Sequence, residues 1–256
     1  MFYRYLKSET RVAVDLDGLY KGGTLFLLGG GPSLNDLDLD ALRAPGIVTL
    51  AVNNVPTVFP SPNLWVCADK PPCFSPHIYA SPEIVKFTSI ARRNMIVGDT
   101  GKRVRDFPSM LFFGLTEGFT EATFLSSHRD IVWWKSVFPI ALQLAWRLGF
   151  RRVHLVGCGF HSNGGDSYAW KTELTDYQRN YSQRTYNRDL ERLRKLKPVF
   201  DRNGFEIISS TPDSRANAFL DYVPLGEAVE CVRSTMPDAA DTTKLAHSSS
   251  LTAKPR

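Results

Sequence analysis

Short apolar runs recur along the chain, separated by longer mixed stretches. TLFLLG (24–29), IVTLAVN (47–53), LWVCAD (64–69), MLFFGL (110–115), VHLVGCGF (153–160) and FEIISS (205–210) lack the strict alternation of a half-exposed strand. They predict strands buried on both faces. Between the fourth and fifth of them, SVFPIALQLAWRLGF (136–150) places Val137, Ile140, Ala141, Leu144 and Leu148 at helical spacing. Ser136 can cap the start and Gly149 the end, and Pro139 is tolerated in the first turn, where its missing N–H would be unpaired anyway. Residues 177–197 predict a long polar helix with Leu190, Leu193 and Leu196 as a narrow apolar stripe. Strands alternating with helical stretches imply an α/β fold, Rossmann-like, with a mostly parallel sheet of about six strands and helices on both faces. A single catalytic domain over 1–232 is expected. Residues 233–256, rich in Ser, Thr, Ala and Pro without apolar period, predict a disordered tail.

Composition narrows the class. With 256 residues and 43% hydrophobic side chains the chain can bury a proper core. The longest apolar runs fall short of the roughly 20 residues of a membrane helix, and MFYRYLKSETR lacks a signal-peptide pattern, so a cytoplasmic protein is expected. Cys67, Cys73, Cys158 and Cys231 form no CxxC pair, which suggests neither a zinc ribbon nor a disulfide framework. A net charge of +5 with pI near 9.0 suits anionic partners without selecting one. Basic residues concentrate in 92–105 and 178–197.

Chemistry gathers at predicted strand ends. Gly29, Gly30 and Gly31, followed by Pro32 and Ser33, close the first apolar run. Glycines let backbone N–H groups approach an anion, so contact with a phosphate or a sugar nucleotide is expected there. The run is not the GxGxxG fingerprint, whose third glycine would fall on Leu34. Asn53, Asn54 and Asp69 follow the next two strands, and GCGFHSNGGDSYAW (157–170) follows the fifth, where open α/β sheets bind ligands. No GxxxxGK[ST], GxSxG or HExxH motif is present. The acidic pairs at Asp15–Asp17 and Asp36–Asp40 lie in the wrong context for a metal, Asp36 and Asp38 reading instead as caps, and Asp166 with His161 is a weak ligand pair. No metal site is expected. Trp133 and Trp134 read as core or rim packing, with acceptor stacking as the alternative.

Taken together, LGGGPSL, AVNNVP, SVFPIALQLAWRLGFRRVHLVGCGF, SYAW and PDSRANAFLDYVPL resemble the superfamily joining the bacterial sialyltransferases of glycosyltransferase family 42 with the MptE-like pterin pyrophosphokinases. The resemblance spans about residues 24–228, and members occur among bacteriophage and bacterial surface-glycan proteins. It implies that Gly29, Gly31, Pro32 and Ser33 cradle a donor nucleotide, with Gly30 where the sialyltransferases carry asparagine. Asn53 and Ser136 match donor contacts, and Phe138 replaces a small glycine. Gly157 and Phe160 match the family's Gly-x-Asp-Phe-Tyr, with Gly159 in the place of the aspartate. The two tyrosines that assist the leaving group fall on His161 and Tyr168. The family's general-base histidine would fall near 180–182, where this chain has none, which leaves Tyr177, Tyr181 or His161 for that task.

The function expected on these grounds is a sialyltransferase-like glycosyltransferase that moves a sugar from a nucleotide-sugar donor to an acceptor glycan or a modified DNA base without a required cofactor or metal. Catalysis would rest on His161 and Tyr168, and donor binding on Gly29, Gly30, Gly31, Ser33, Asn53, Asp69, Ser136, Gly157 and Phe160. Two alternatives stay open: an ATP- and magnesium-dependent pyrophosphokinase acting on a pterin-like alcohol, and a DNA-binding or DNA-modifying protein.

Overall fold

The apolar runs pair as a single large sheet. The structure, a computed structural model, describes residues 1–6, 10–117, 120–126, 130–161, 168–170 and 172–235. Its strands in chain order are β1 (Phe2–Tyr5), β2 (Arg11–Val14), β3 (Thr24–Leu28), β4 (Thr49–Val52), β5 (Leu64–Cys67), β6 (Val85–Ser89), β7 (Met110–Phe113), β8 (Leu115–Thr116), β9 (Ile131–Val132), β10 (Arg152–Val156) and β11 (Glu206–Ser209). Nine of them form one sheet in the order β11-β10-β3-β4-β5-β6-β7-β1-β2, and β8 pairs with β9 apart from it. From β11 to β7 every pairing is parallel, while β1 runs antiparallel to both β7 and β2.

The α/β class and the mostly parallel sheet agree with the sequence expectation, but the strand number does not: nine strands replace about six. All of the predicted runs are strands, and the additions have physical explanations. β6 reads VKFTS, and its Lys86 breaks the apolar signature. That side chain is nevertheless fully buried, its ammonium donating to the carbonyls of Ser81 (2.5 Å) and Ile84 (2.7 Å). β1 and β2 are short, carry arginines and lie at the sheet edge, where charge is tolerated and discourages further pairing.

The helices are α1 (Pro76–Ala80), α2 (Glu121–Phe124), α3 (Val137–Leu148), α4 (Asp176–Arg202) and α5 (Leu225–Thr235). α3 has the expected ends: the Ser136 hydroxyl accepts from the Phe138 N–H, and Gly149 closes it in the left-handed region at φ +98°. α4 is longer than the predicted 177–197 and buries Leu190, Leu193, Leu196 and Phe200. The glycine-rich loop leads not into an α-helix but into two 3-10 turns, Pro32–Asp36 and Leu39–Arg43. Asp38 caps the second, accepting from Asp40 N–H. Arg233, Ser234 and Thr235, expected in the tail, close α5; residues 236–256 lie outside the described set.

The strand order creates the feature that matters for a ligand. From β3 the chain steps outward through β4, β5, β6 and β7, then returns to place β10 on the other flank of β3. The carboxyl ends of β3 and β10 therefore form the switch point at which such sheets open a crevice.

Candidate active site

Beyond that switch point two glycine-rich loops run side by side. Leu28 of β3 is in register with Val156 of β10. Gly29 N–H donates to Val156 O (2.8 Å), and Gly31 N–H to Gly157 O (2.9 Å). A Cβ on Gly29 would lie 2.6 Å from Cys158 Sγ, and one on Gly31 2.7 Å from Gly157 O. Gly157, at φ +66°, would drive a Cβ to 2.4 Å from Leu34 Cγ. Loop-to-loop approach thus requires glycine at these three positions, and the amides of Gly29 and Gly31 are engaged within it. Those of Gly30 and Ser33 make no hydrogen bond among the described residues. Ser33 Oγ is buried and also lacks a partner. Such an atom costs roughly 1–3 kcal/mol unless something binds it.

The segment 168–170 lies against this loop. Ala169 N–H donates to Gly30 O (3.0 Å), and the Asn35 amide donates to Ala169 O (3.1 Å). Tyr168 and Trp170 stack at 4.8 Å, 9° from parallel. A Cβ on Gly30 would stand 2.6 Å from Trp170 Cη2 and 3.5 Å from Tyr168 Cδ1, so the third glycine makes room for this pair. The Tyr168 hydroxyl lies 3.2 Å from Ser182 Oγ on α4 and also bonds Tyr186, whose phenol is pushed up chiefly by burial.

His161 faces the β11 side. Its Nε2 is 3.2 Å from the backbone carbonyl of Asp213. A carbonyl only accepts, so Nε2 is the donor in this contact, and in the neutral ring Nδ1 then keeps its lone pair. Nδ1 is buried with no partner among the described residues. Gly159 separates His161 from the first loop: its N lies 3.7 Å from the Cβ position of Gly31, and its own Cβ position lies 3.1 Å from His161 Nε2. Arg215 ties the loop down, its N–H donating to Gly159 O (3.1 Å) and its guanidinium to Phe160 O (3.0 Å) and Asn187 Oδ1 (2.6 Å).

The remaining expected contacts keep differing degrees of freedom. Phe160 is buried in the left-handed region (φ +56°) and packs edge-on against Phe138 at 5.2 Å. Ser136, besides capping α3, donates to Asp189 Oδ2 on α4 (2.5 Å). Asp189 is only 3% exposed, and burial pushes its carboxyl up to about 6 against the opposing pull of Ser136, Arg188 and Arg192. Asn53 also takes a left-handed conformation (φ +49°), its carbonyl accepting from Trp65 Nε1 (2.6 Å) while its Oδ1 is buried without a partner. Asn54 is spent on the turn, donating to Cys73 O (3.1 Å). Asp69 is exposed beyond β5; Arg92, after β6, donates weakly to the neighbouring Ala68 O (3.5 Å) and keeps a buried, unpaired Nε.

Sequence reasoning missed Ser182, Tyr186 and Asp189. Their spacing on α4 is that of one helix face and was readable as a polar stripe, but nothing local says that the stripe meets Tyr168 and Ser136. The Asp213 carbonyl carries no sequence signal at all.

Other candidates lose their freedom. Along the basic stretch 178–197, Arg188 donates to Lys135 O, Arg192 to Trp134 O, and Arg194 lies 5.1 Å over Phe219. Arg179, Lys195 and Lys197 pair with Asp176, Glu191 and Asp201. Trp134 is core, 5.1 Å from Phe124. Cys158 is buried, its thiol pushed up to about 12, and is inert. Asp166 lies outside the described residues. Among the described residues no three His, Cys, Asp or Glu side chains converge as metal ligands, and no helix is long and apolar enough to cross a membrane. A cleft lined by Thr24, Arg151, Arg152 and Glu206 opens at the amino ends of the strands, away from the edge that binds ligands in such sheets.

No family model and no curated protein sequence matches the chain. Solved structures similar to it include the MAf glycosyltransferase from Magnetospirillum magneticum AMB-1, at 13% identity and a TM-score of 0.47 over 91% of this chain and 39% of that one. The chain thus spans well under half the length of that protein. Also similar is the sialyltransferase CstII from Campylobacter jejuni in complex with a substrate analogue, cytidine-5'-monophosphate, at 14% identity and a TM-score of 0.44 over 81% of this chain and 87% of that one.

Proposed function

We propose that the protein is a glycosyltransferase that moves a sugar from a nucleotide-sugar donor to a hydroxyl acceptor. The observation that carries this reading is a set of buried, unsatisfied polar atoms at one strand edge: Ser33 Oγ, Asn53 Oδ1 and His161 Nδ1. With the free amides of Gly30 and Ser33 they supply donors for a phosphate, an acceptor for a base or sugar hydroxyl, and a proton acceptor.

In the proposed step the acceptor oxygen attacks the anomeric carbon. A new C–O bond forms there as the bond to the leaving phosphate oxygen breaks. The acceptor's proton passes to His161 Nδ1, which the Nε2–H bond to Asp213 O orients. Charge growing on the phosphate is met by the Gly30 and Ser33 N–H groups, with the Tyr168 hydroxyl as a further donor. The step is written without a metal.

Sugar release and transfer across a nucleotide-sugar panel test it. Wild type is expected to turn over at least one donor, with activity unchanged by EDTA. Loss of a general base is expected to reduce kcat by about 10²–10⁴ in His161→Ala. Tyr168→Phe is expected to lower kcat about tenfold or more, by loss of a hydrogen bond to a charged group. No turnover, or unchanged turnover in both variants, rejects the reading.

A further inference from the structure

Gly30 differs from its neighbours in what requires it to be glycine. Gly29 and Gly31 leave room for atoms of the second loop, and Gly157 is left-handed. Gly30 lies outside the left-handed region, and the atoms nearest its Cβ position all belong to two rings: Trp170 Cη2 (2.6 Å), Trp170 Cζ3 (3.0 Å) and Tyr168 Cδ1 (3.5 Å). A side chain at 30 and the indole therefore exclude each other. The outer edge of the Trp170 ring fills the space that such a side chain would take.

Trp170 is seated firmly there. The chain before it is pinned by Ala169 N–H to Gly30 O (3.0 Å) and by the Asn35 amide to Ala169 O (3.1 Å). Its ring lies 4.8 Å from that of Tyr168 and 9° from parallel. The indole is thus a wedge that meets the glycine loop with its edge and the phenol with its face. The phenol is held at its far end as well, its oxygen lying 3.2 Å from Ser182 Oγ and bonding Tyr186, four residues further along α4. A phenol oxygen accepts two hydrogen bonds and donates one. With Ser182 and Tyr186 donating to it, its own hydrogen is left for a ligand. Where that hydrogen points is set by where the ring lies.

We propose that Trp170 is a positioning residue: wedged on Gly30, it fixes the Tyr168 ring so that the phenol hydrogen is held toward the leaving phosphate. It acts through Tyr168 and does not itself touch the substrate. The catalytic part of this inference rests on the glycosyl-transfer reading.

The test uses the full chain with 3-fluorotyrosine at position 168, read by fluorine NMR, beside steady-state kinetics with a donor that wild type turns over. Trp170→Ala is expected to lower kcat about tenfold to a hundredfold, as for a misplaced catalytic group, with the donor KM little changed. Trp170→Phe keeps a ring against the phenol and is expected to retain most of kcat. Gly30→Ala keeps the N–H but drives the indole off the loop, so it is expected to reproduce Trp170→Ala. Both are expected to shift or broaden the fluorine resonance. In a Tyr168→Phe background, Trp170→Ala is expected to add no further loss, because both changes act through one hydroxyl. A raised KM with unchanged kcat would make the indole a ligand contact and overturn the inference, as would additive losses or an unmoved resonance. If wild type turns over no donor, the transfer reading fails by itself. The fluorine resonance in Trp170→Ala and Gly30→Ala then still decides whether the indole fixes the phenol.

Discussion

Gly157 concentrates the residue-scale logic of the site. It sits at φ +66°, where a side chain is strained, and a Cβ would meet Leu34 Cγ at 2.4 Å and Gly29 O at 2.8 Å. The left-handed conformation costs roughly 1–2 kcal/mol for a residue with a Cβ, and overpacking about 1–3 more. Gly157→Ala is therefore expected to destabilise the protein by about 2–5 kcal/mol in urea unfolding; a change below about 0.5 kcal/mol would contradict the close approach. At Gly29 and Gly31 the sequence announced bare backbone, and the structure shows that much of that bareness serves contact between two loops. His161 was named through the family resemblance, in the loop that follows a strand end. Its tautomer was not, because the carbonyl that sets it comes from Asp213, far along the chain.

At the scale of elements, Asp189 joins α4 to the start of α3 through Ser136. Its folded pKa, about 6, lies above the ordinary 3.8 because burial penalises the charge. The folded state therefore holds the proton more tightly. The resulting stabilisation is complete below pH 4 and is lost as pH rises through 6. Two units correspond to roughly 3 kcal/mol. Relative to Asp189→Asn, wild type is expected to lose stability of that order between pH 4 and 7, read by urea unfolding at each pH. A constant difference would show that Asp189 does not titrate there. The ends of α3 were legible because capping is local chemistry: Ser136 and Gly149 act on the adjoining backbone. β6 was not, because Lys86 looks polar until Ser81 O and Ile84 O are brought to its ammonium.

For the whole molecule, the strand order predicts one ligand edge. If that crevice binds nucleotide, one of CMP, CDP, UDP, GDP or ADP at about 100 times its Kd should stabilise the fold by about 2.7 kcal/mol. For a domain of this size that corresponds to a rise in Tm of roughly 5–11 °C. Flat melting curves with all five would leave the crevice without its expected occupant. Hydrophobic runs, cap residues and glycine spacing determined the α/β class, most central strands, the helix before β10 and the loops at the strand ends, because each depends on neighbours a few residues away. Tertiary structure alone decided that β10 lies beside β3, that β1, β2 and β6 extend the sheet, and that Tyr168 meets Ser182 and Tyr186. Burial patterns state that a strand or helix face is covered but do not name what covers it; that choice is made by pairing between segments distant in sequence.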